Sequence, residues 1–194
     1  YDQHDLCPEM YDARYGAGAR ASVRRALSVC EHLAYRLADR VIVTNESYRA
    51  VALARGRVPP ERITIVRNGP DPDRWRPVPP DPGEHRDGKT LIGYAGVLGA
   101  QDGGDALLRA LAHLVFDLGR TDFRCVIIGD GDALPGLRAL ADQRGLAPYV
   151  EFAGWLSGDA LLRRLAALDI GVEPAPCNPY TDRSTMIKVM EYMA

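Results

Sequence analysis

From residue 91 onward, short apolar runs alternate with longer stretches of helical periodicity, and this alternation limits the fold more than any other feature. Residues 91–95, 123–128, 149–153 and 169–172 read as strands. Residues 105–118, 133–143, 158–168 and a segment from Ser184 to the end read as helices. Strands alternating with helices of this length build right-handed βαβ units and a parallel sheet covered on both faces. The predicted class is therefore α/β. Ligands of such sheets bind beyond the C-terminal ends of the strands, which is where Gly96, Gly129, Gly154 and Ser184 fall.

The first third of the chain is a shorter version of the same theme. Residues 1–11 are polar and carry Pro8, so a loop is predicted. Residues 19–37 are helical, with Val23, Ala26, Leu27, Cys30, Leu33, Ala34 and Leu37 on one face and Arg20, Arg24, Arg25 and Arg36 around the rest. A basic amphipathic helix can lie on an anionic membrane. Packing of the apolar face into a core, with the arginines solvated, is the expected arrangement. Strands follow at 41–44 and 63–66, separated by a helix capped by Asn45 or Ser47 and by the break at Gly56 and Pro59-Pro60. Pro70, Pro72, Pro77, Pro79, Pro80 and Pro82, with Gly83 and Gly88, mark a linker. The predicted layout is a domain over 1–73, a linker over 74–88 and a second domain over 89–194.

Composition excludes several classes of function. A net charge of -2 gives no footprint for a nucleic-acid partner. Cys7, Cys30, Cys125 and Cys177 are scattered, with no C-x-x-C pair or His/Cys cluster, so no metal site is predicted. Cys125 stands in an apolar run and reads as a core residue. A reduced, cytoplasmic protein is the simpler expectation. No apolar run is long enough to span a bilayer, and no signal-peptide pattern is present. The chain starts at Tyr1 without a methionine and stops inside a predicted helix, so it is expected to be an internal piece of a longer protein, inactive alone.

The last seventeen residues carry the densest chemistry. From Ser184, the residues Met186, Ile187, Met190, Met193 and Ala194 mark an apolar helix face, and Ser184, Lys188 and Glu191 mark another. A helix start at Ser184 and Thr185 presents free N–H groups to a phosphate. Lys188 is one turn further in. Glu191 stands about 10 Å along the axis at ~1.5 Å per residue, a diphosphate-to-ribose spacing. The same residues also suit an ordinary surface Lys–Glu pair. Lys188 stands out because only it and Lys89 are lysines among 24 basic residues.

Glu191-Tyr-Met-Ala194 resembles the Glu-(Ala/Tyr)-Met-Ala end of the donor helix in retaining GT-B glycosyltransferases of glycosyltransferase group 1. Other runs resemble that family in the same order. They are His4-Asp5-Leu-Cys-Pro8-Glu9, Arg67-Asn68-Gly69-Pro-Asp71, Gly93-Tyr-Ala-Gly96-Val-Leu-Gly99, Gly129-Asp-Gly131 and Val150-Glu-Phe-Ala-Gly154-Trp-Leu156. The resemblance implies a GT-B fold of two Rossmann-like domains, each incomplete in this chain. It implies transfer of a sugar from a nucleotide-diphosphate sugar to the hydroxyl of a sugar or lipid-linked acceptor, in glycan or glycolipid assembly, with retention and without a metal or other cofactor. Localisation is expected to be cytoplasmic, with peripheral membrane contact left open.

The expected catalytic residues are His4 and Glu191, which the resemblance implies, and Lys188, which stands where the family has an apolar residue. The expected donor-binding residues are Gly96, Gly99, Gly129, Gly154, Arg183, Ser184, Thr185, Lys188 and Glu191; the resemblance implies that Glu191 grips the ribose, and the helix start and the two cations are read from the residues. Two departures accompany the resemblance. Arg183 stands where the family has its first glutamate, and Val97 and Asp102 stand where it has an arginine and a lysine for the diphosphate. Arg183 and Lys188 are expected to replace those cations. Two alternatives remain open: a non-catalytic relative that binds a nucleotide sugar or pairs with an active subunit, and a sugar-nucleotide epimerase on the same fold.

Overall fold

The computed structural model describes residues 1–80, 83 and 88–194; residues 81, 82 and 84–87, including Pro82 of the predicted linker, lie outside the described residues. The chain divides into two compact units. One comprises Tyr1–Asn68 and Cys177–Thr185, the other Gly69–Pro176 and Met186–Ala194.

In the second unit, the strands are β4 (Thr90–Ala95), β5 (Phe123–Ile128), β6 (Val150–Gly154) and β7 (Ile170–Gly171). They form one sheet in the order β6-β5-β4-β7, with every neighbouring pair parallel. The connecting helices are α4 (Gly104–Ala112), α5 (Leu134–Gln143) and α6 (Gly158–Ala166), and α7 (Ile187–Met193) ends the chain. Alternate side chains of β4 serve opposite faces, as strand geometry requires. Ile92 and Tyr94 pack with Leu107, Leu108 and Leu111 of α4 and Leu137 of α5. Leu91 and Ala95 pack with Leu161 and Leu165 of α6 and Tyr192 of α7. Both faces are covered, which explains the near-continuous apolar text of β4 and β5. Cys125 is a core residue of β5, and burial pushes its thiol up to about 12.

This sheet builds outward from β4 in two directions. β5 and β6 lie on one side, and β7 on the other. The strand order therefore reverses at β4, and a reversal of this kind opens a crevice beyond the strands' C-terminal ends.

The first unit holds β1 (Asp2–Gln3), α1 (Cys7–Tyr15), α2 (Ala21–Leu37), β2 (Val41–Val43), α3 (Glu46–Ala54) and β3 (Ile63–Ile65). Its three strands are parallel in the order β1-β2-β3. Asn45 caps α3, its side chain accepting from the Tyr48 N–H at 2.8 Å.

Three sequence expectations are corrected. The predicted loop over 1–11 contains a strand and most of α1: Pro8 stands in the first turn of that helix, where its missing N–H is harmless. The apolar stripe of α2 is not its buried face; Val23, Leu33 and Leu37 are exposed, Leu37 by 82%, while Glu31 and Tyr35 are buried. A polar network orients that helix instead. The Gln3 amide donates to Glu31, the Tyr35 hydroxyl donates to Gln3 at 2.8 Å, and Arg55 pairs with Glu31 at 3.0 Å and Glu9 at 2.9 Å. The terminal helix begins at Ile187, not Ser184, because a 3-10 turn over Thr181–Arg183 precedes it. Among the described residues, no helix is long and apolar enough to cross a membrane.

Candidate functional site

A cleft of the second unit, about 470 Å³, opens at the C-terminal ends of β4 and β5 and is lined by Gly96, Gly129, Trp155 and Glu191, among others. Glycine is required where the first two meet. Gly129 has φ 141°, and a Cβ on it would stand 1.8 Å from the Gly96 carbonyl oxygen. The two strand ends can approach this closely only as bare backbone. Beyond Gly96, the Tyr94 hydroxyl donates to the Val97 carbonyl at 2.8 Å. The Asp102 carboxylate accepts from the Gly99 N–H at 3.0 Å. Asp102 thus closes its own loop, and the Gly99 N–H is already spoken for.

The terminal helix brings the other half of the site. Lys188 Nζ lies 2.8 Å from the Glu173 carboxylate, donates to the Tyr94 hydroxyl at 3.2 Å and sits 4.6 Å from the centre of the Tyr94 ring. Its stem runs against Gly96, where a Cβ would be 3.3 Å from Lys188 Cε. Glu173 follows β7, so the pair spans the point where the strand order reverses. One turn further along α7, Glu191 faces the cleft. Burial raises its carboxyl above the ordinary glutamate value, and the nearby Lys188 charge partly opposes this. Tyr192 fixes the helix to the sheet: its hydroxyl accepts from the Ala95 N–H at 2.9 Å.

Of the residues singled out in the sequence, Gly96, Gly129, Lys188 and Glu191 therefore gather in the second unit. Gly154, at φ 73°, leads into Trp155 on the cleft wall. Arg183, Ser184 and Thr185 belong to the first unit. The Arg183 guanidinium donates to the Pro179 carbonyl at 3.1 Å, and its own carbonyl accepts from the Asn45 amide at 2.9 Å. Ser184 Oγ donates to the Tyr180 carbonyl at 2.9 Å, and Thr185 Oγ1 accepts from the Asn45 amide at 3.1 Å. With Ser184 outside the helix, the predicted face of Ser184, Lys188 and Glu191 reduces to the last two. His4 also lies in the first unit: its Nε2 is 3.0 Å from Asp2 Oδ2, and Asn68 stands 3.4 Å from its Nδ1. Beside it, Asp5 accepts from the Tyr180 hydroxyl at 2.9 Å.

Sequence reasoning missed Trp155, Glu173, Arg74 and Arg76. Trp155 is 67% exposed on a cleft wall, an unusual place for so large an apolar surface without a ligand. The signal for Glu173 was its position just after the predicted strand at 169–172.

A parallel sheet whose strand order reverses at β4, with a glycine-lined crevice beyond the strand ends, is an α/β unit of the GT-B type. The chain belongs to the glycosyl transferases group 1 family, whose model matches residues 89–194; residues 4–69 match the glycosyl transferase 4-like domain. It is 27% identical over 156 residues to a 2-deoxystreptamine glucosyltransferase of Streptomyces kanamyceticus, covering 77% of this chain and 40% of that protein. It is 25% identical over 166 residues to an uncharacterised glycosyltransferase of Methanocaldococcus jannaschii, covering 80% of this chain and 41% of the other. Sucrose-phosphate synthase of Thermosynechococcus elongatus superposes with a TM-score of 0.74 at 18% identity, over 99% of this chain and 47% of that one. Anabaena HepE in complex with UDP-glucose gives 0.70 at 18% identity, over 100% of this chain and 50% of that one. The chain thus spans less than half the length of the curated relatives it matches.

Proposed function

We propose that the full-length protein transfers a sugar from a nucleotide-diphosphate sugar to an acceptor hydroxyl, with retention at the anomeric carbon. The observation that carries the reading is the convergence of Gly96, Gly129 and Glu191 on one cleft of the second unit, with Lys188 against Gly96. Glu191 accepts from the ribose hydroxyls. The bare backbone at Gly96 and Gly129 admits the diphosphate, and Lys188 donates to it. As the bond from the anomeric carbon to the phosphate oxygen breaks, the acceptor oxygen bonds to that carbon on the same face. The acceptor proton leaves with the departing phosphate oxygen. Catalysis is then positioning plus electrostatic stabilisation of the leaving group by side chains, without a metal. The acceptor is a sugar or a lipid-linked sugar of a glycan under assembly, reached in the cytoplasm at or near the membrane.

One observation favours a second reading, a non-catalytic relative. Lys188 is already neutralised by Glu173, and the loop after β4 offers Val97 and Asp102 rather than cations. The test is turnover by the full-length protein with a panel of UDP-, GDP-, ADP- and dTDP-hexoses, read as nucleoside diphosphate release and as product anomer. Release of diphosphate with a retained anomer supports transfer. Tight nucleotide binding without release from any donor supports the second reading.

A further inference from the structure

The cleft has an electrostatic deficit that its glycines do not repair. Among the described residues that line it, Asp73, Asp159 and Glu191 are acidic. The Lys188–Glu173 pair beside it has no net charge. A diphosphate entering such a wall meets like charge, and an anion stripped of water without a cation is costly. Among the described residues, the cations that line the cleft are Arg74 and Arg76, between Pro72 and Pro77.

That segment is held in place. Asp71 folds it into a turn: its carbonyl accepts from the N–H groups of Arg74 at 3.0 Å and Trp75 at 2.8 Å, and its carboxylate accepts from the Asp73 N–H at 3.0 Å. Arg74 is exposed, and no carboxylate among the described residues pairs with its guanidinium. Arg76 and Trp75 also border a neighbouring cavity, whereas Arg74 borders this cleft alone.

We propose that Arg74 is a diphosphate-binding cation of this cleft, bringing the net positive charge that neither the loop after β4 nor the neutralised Lys188 supplies. Arg76 is its weaker partner. The inference rests on the nucleotide-sugar reading and adds to it a residue that the sequence placed at the start of the linker. Guanidinium suits the role, because its planar fork matches phosphate oxygens bidentately and its charge does not titrate.

Both tryptophans of this chain, Trp75 and Trp155, line the cleft, and binding is read by calorimetric titration, which does not depend on tryptophans elsewhere in the full-length protein. The experiment titrates the full-length protein and its Arg74→Gln and Arg74→Lys variants with UDP, GDP and ADP, and with uridine, guanosine and adenosine. Arg74→Gln is expected to weaken the best-bound diphosphate at least tenfold and its nucleoside less than twofold. Arg74→Lys should recover part of the loss, and the salt dependence of diphosphate binding should flatten in Arg74→Gln. Diphosphate affinity of Arg74→Gln within twofold of the parent overturns the proposal. If that happens while Glu191→Gln weakens nucleotide binding, the donor-site reading stands and only the role of Arg74 falls. If the parent binds no nucleotide, both fall.

Discussion

Removing the Lys188 charge should destabilise the second unit and weaken nucleotide binding, and the two effects can be separated. The ammonium is 2.8 Å from Glu173, and the two side chains are only 13% and 18% exposed. Lys188→Met keeps the stem's bulk but strands the Glu173 carboxylate. An exposed pair is worth ~0–1 kcal/mol, and breaking a fully buried one costs ~3–5 kcal/mol. Their residual exposure sets the expected loss just below the fully buried range, at about 2 kcal/mol. With a urea slope of about 2 kcal/mol/M, the unfolding midpoint should fall by about 1 M. Glu173→Gln combined with Lys188→Met removes the stranded charge and should restore most of the midpoint, a coupling that the double-mutant cycle reads directly. Diphosphate affinity should stay below the parent's in the double variant, because the donor itself is gone. A Lys188→Met midpoint within about 0.2 M of the parent's would refute the reasoning about the pair. Full recovery of affinity in the double variant would reduce Lys188 to a neutraliser of Glu173.

Gly129→Ala should cost about 3 kcal/mol in chemical denaturation, since it adds backbone strain at φ 141° to a collision with the Gly96 carbonyl; an unchanged midpoint would deny the close approach of the two strand ends. Arg55→Met should cost about 3 kcal/mol near neutral pH by leaving the buried Glu31 unpaired. Glu31 is raised by burial and lowered by Arg55, so losing Arg55 raises it further. A raised carboxyl binds its proton more tightly folded than unfolded, so its stabilising contribution is present at low pH and lost as pH rises through the folded value. The deficit of Arg55→Met should therefore shrink on acidification, and denaturation at neutral and mildly acidic pH checks this.

The second unit was the more legible half of the chain. β5 occupies 123–128 as read, and β4 differs from its predicted 91–95 by one residue, because buried parallel strands write themselves as unbroken apolar runs. The predicted helix over 105–118 is α4 followed by a π-turn at His113–Asp117, a hydrogen-bond shift that periodicity does not encode. The start of the terminal helix was misplaced for a local reason. Ser184 satisfies its hydroxyl on the carbonyl four residues back, and Asn178 accepts from the Tyr180 and Thr181 N–H groups, so side chains compete with the helix for the backbone. The exposed stripe of α2 was unreadable because the helix is oriented by Glu31 and Tyr35, whose partners Gln3 and Arg55 are remote in sequence. The site was legible where one motif held both members, as with Lys188 and Glu191. It was hidden where distant segments meet, as with Lys188 and Glu173 or Arg74 and Gly96.

The central claim is that Glu191 holds the donor ribose, and calorimetric titration of the full-length protein tests it most directly. Glu191→Gln should keep the fold and weaken nucleoside diphosphate binding by about 1–3 kcal/mol, the loss of a charge-assisted hydrogen bond. Burial holds the carboxyl above the ordinary glutamate value, so parent affinity should fall on acidification sooner than an ordinary glutamate would titrate. The Gln variant should lack that fall. A 2′,3′-dideoxy nucleoside diphosphate, which has no hydroxyl to donate, should bind parent and variant almost equally. Equal binding of the natural nucleotide to both proteins would contradict the account.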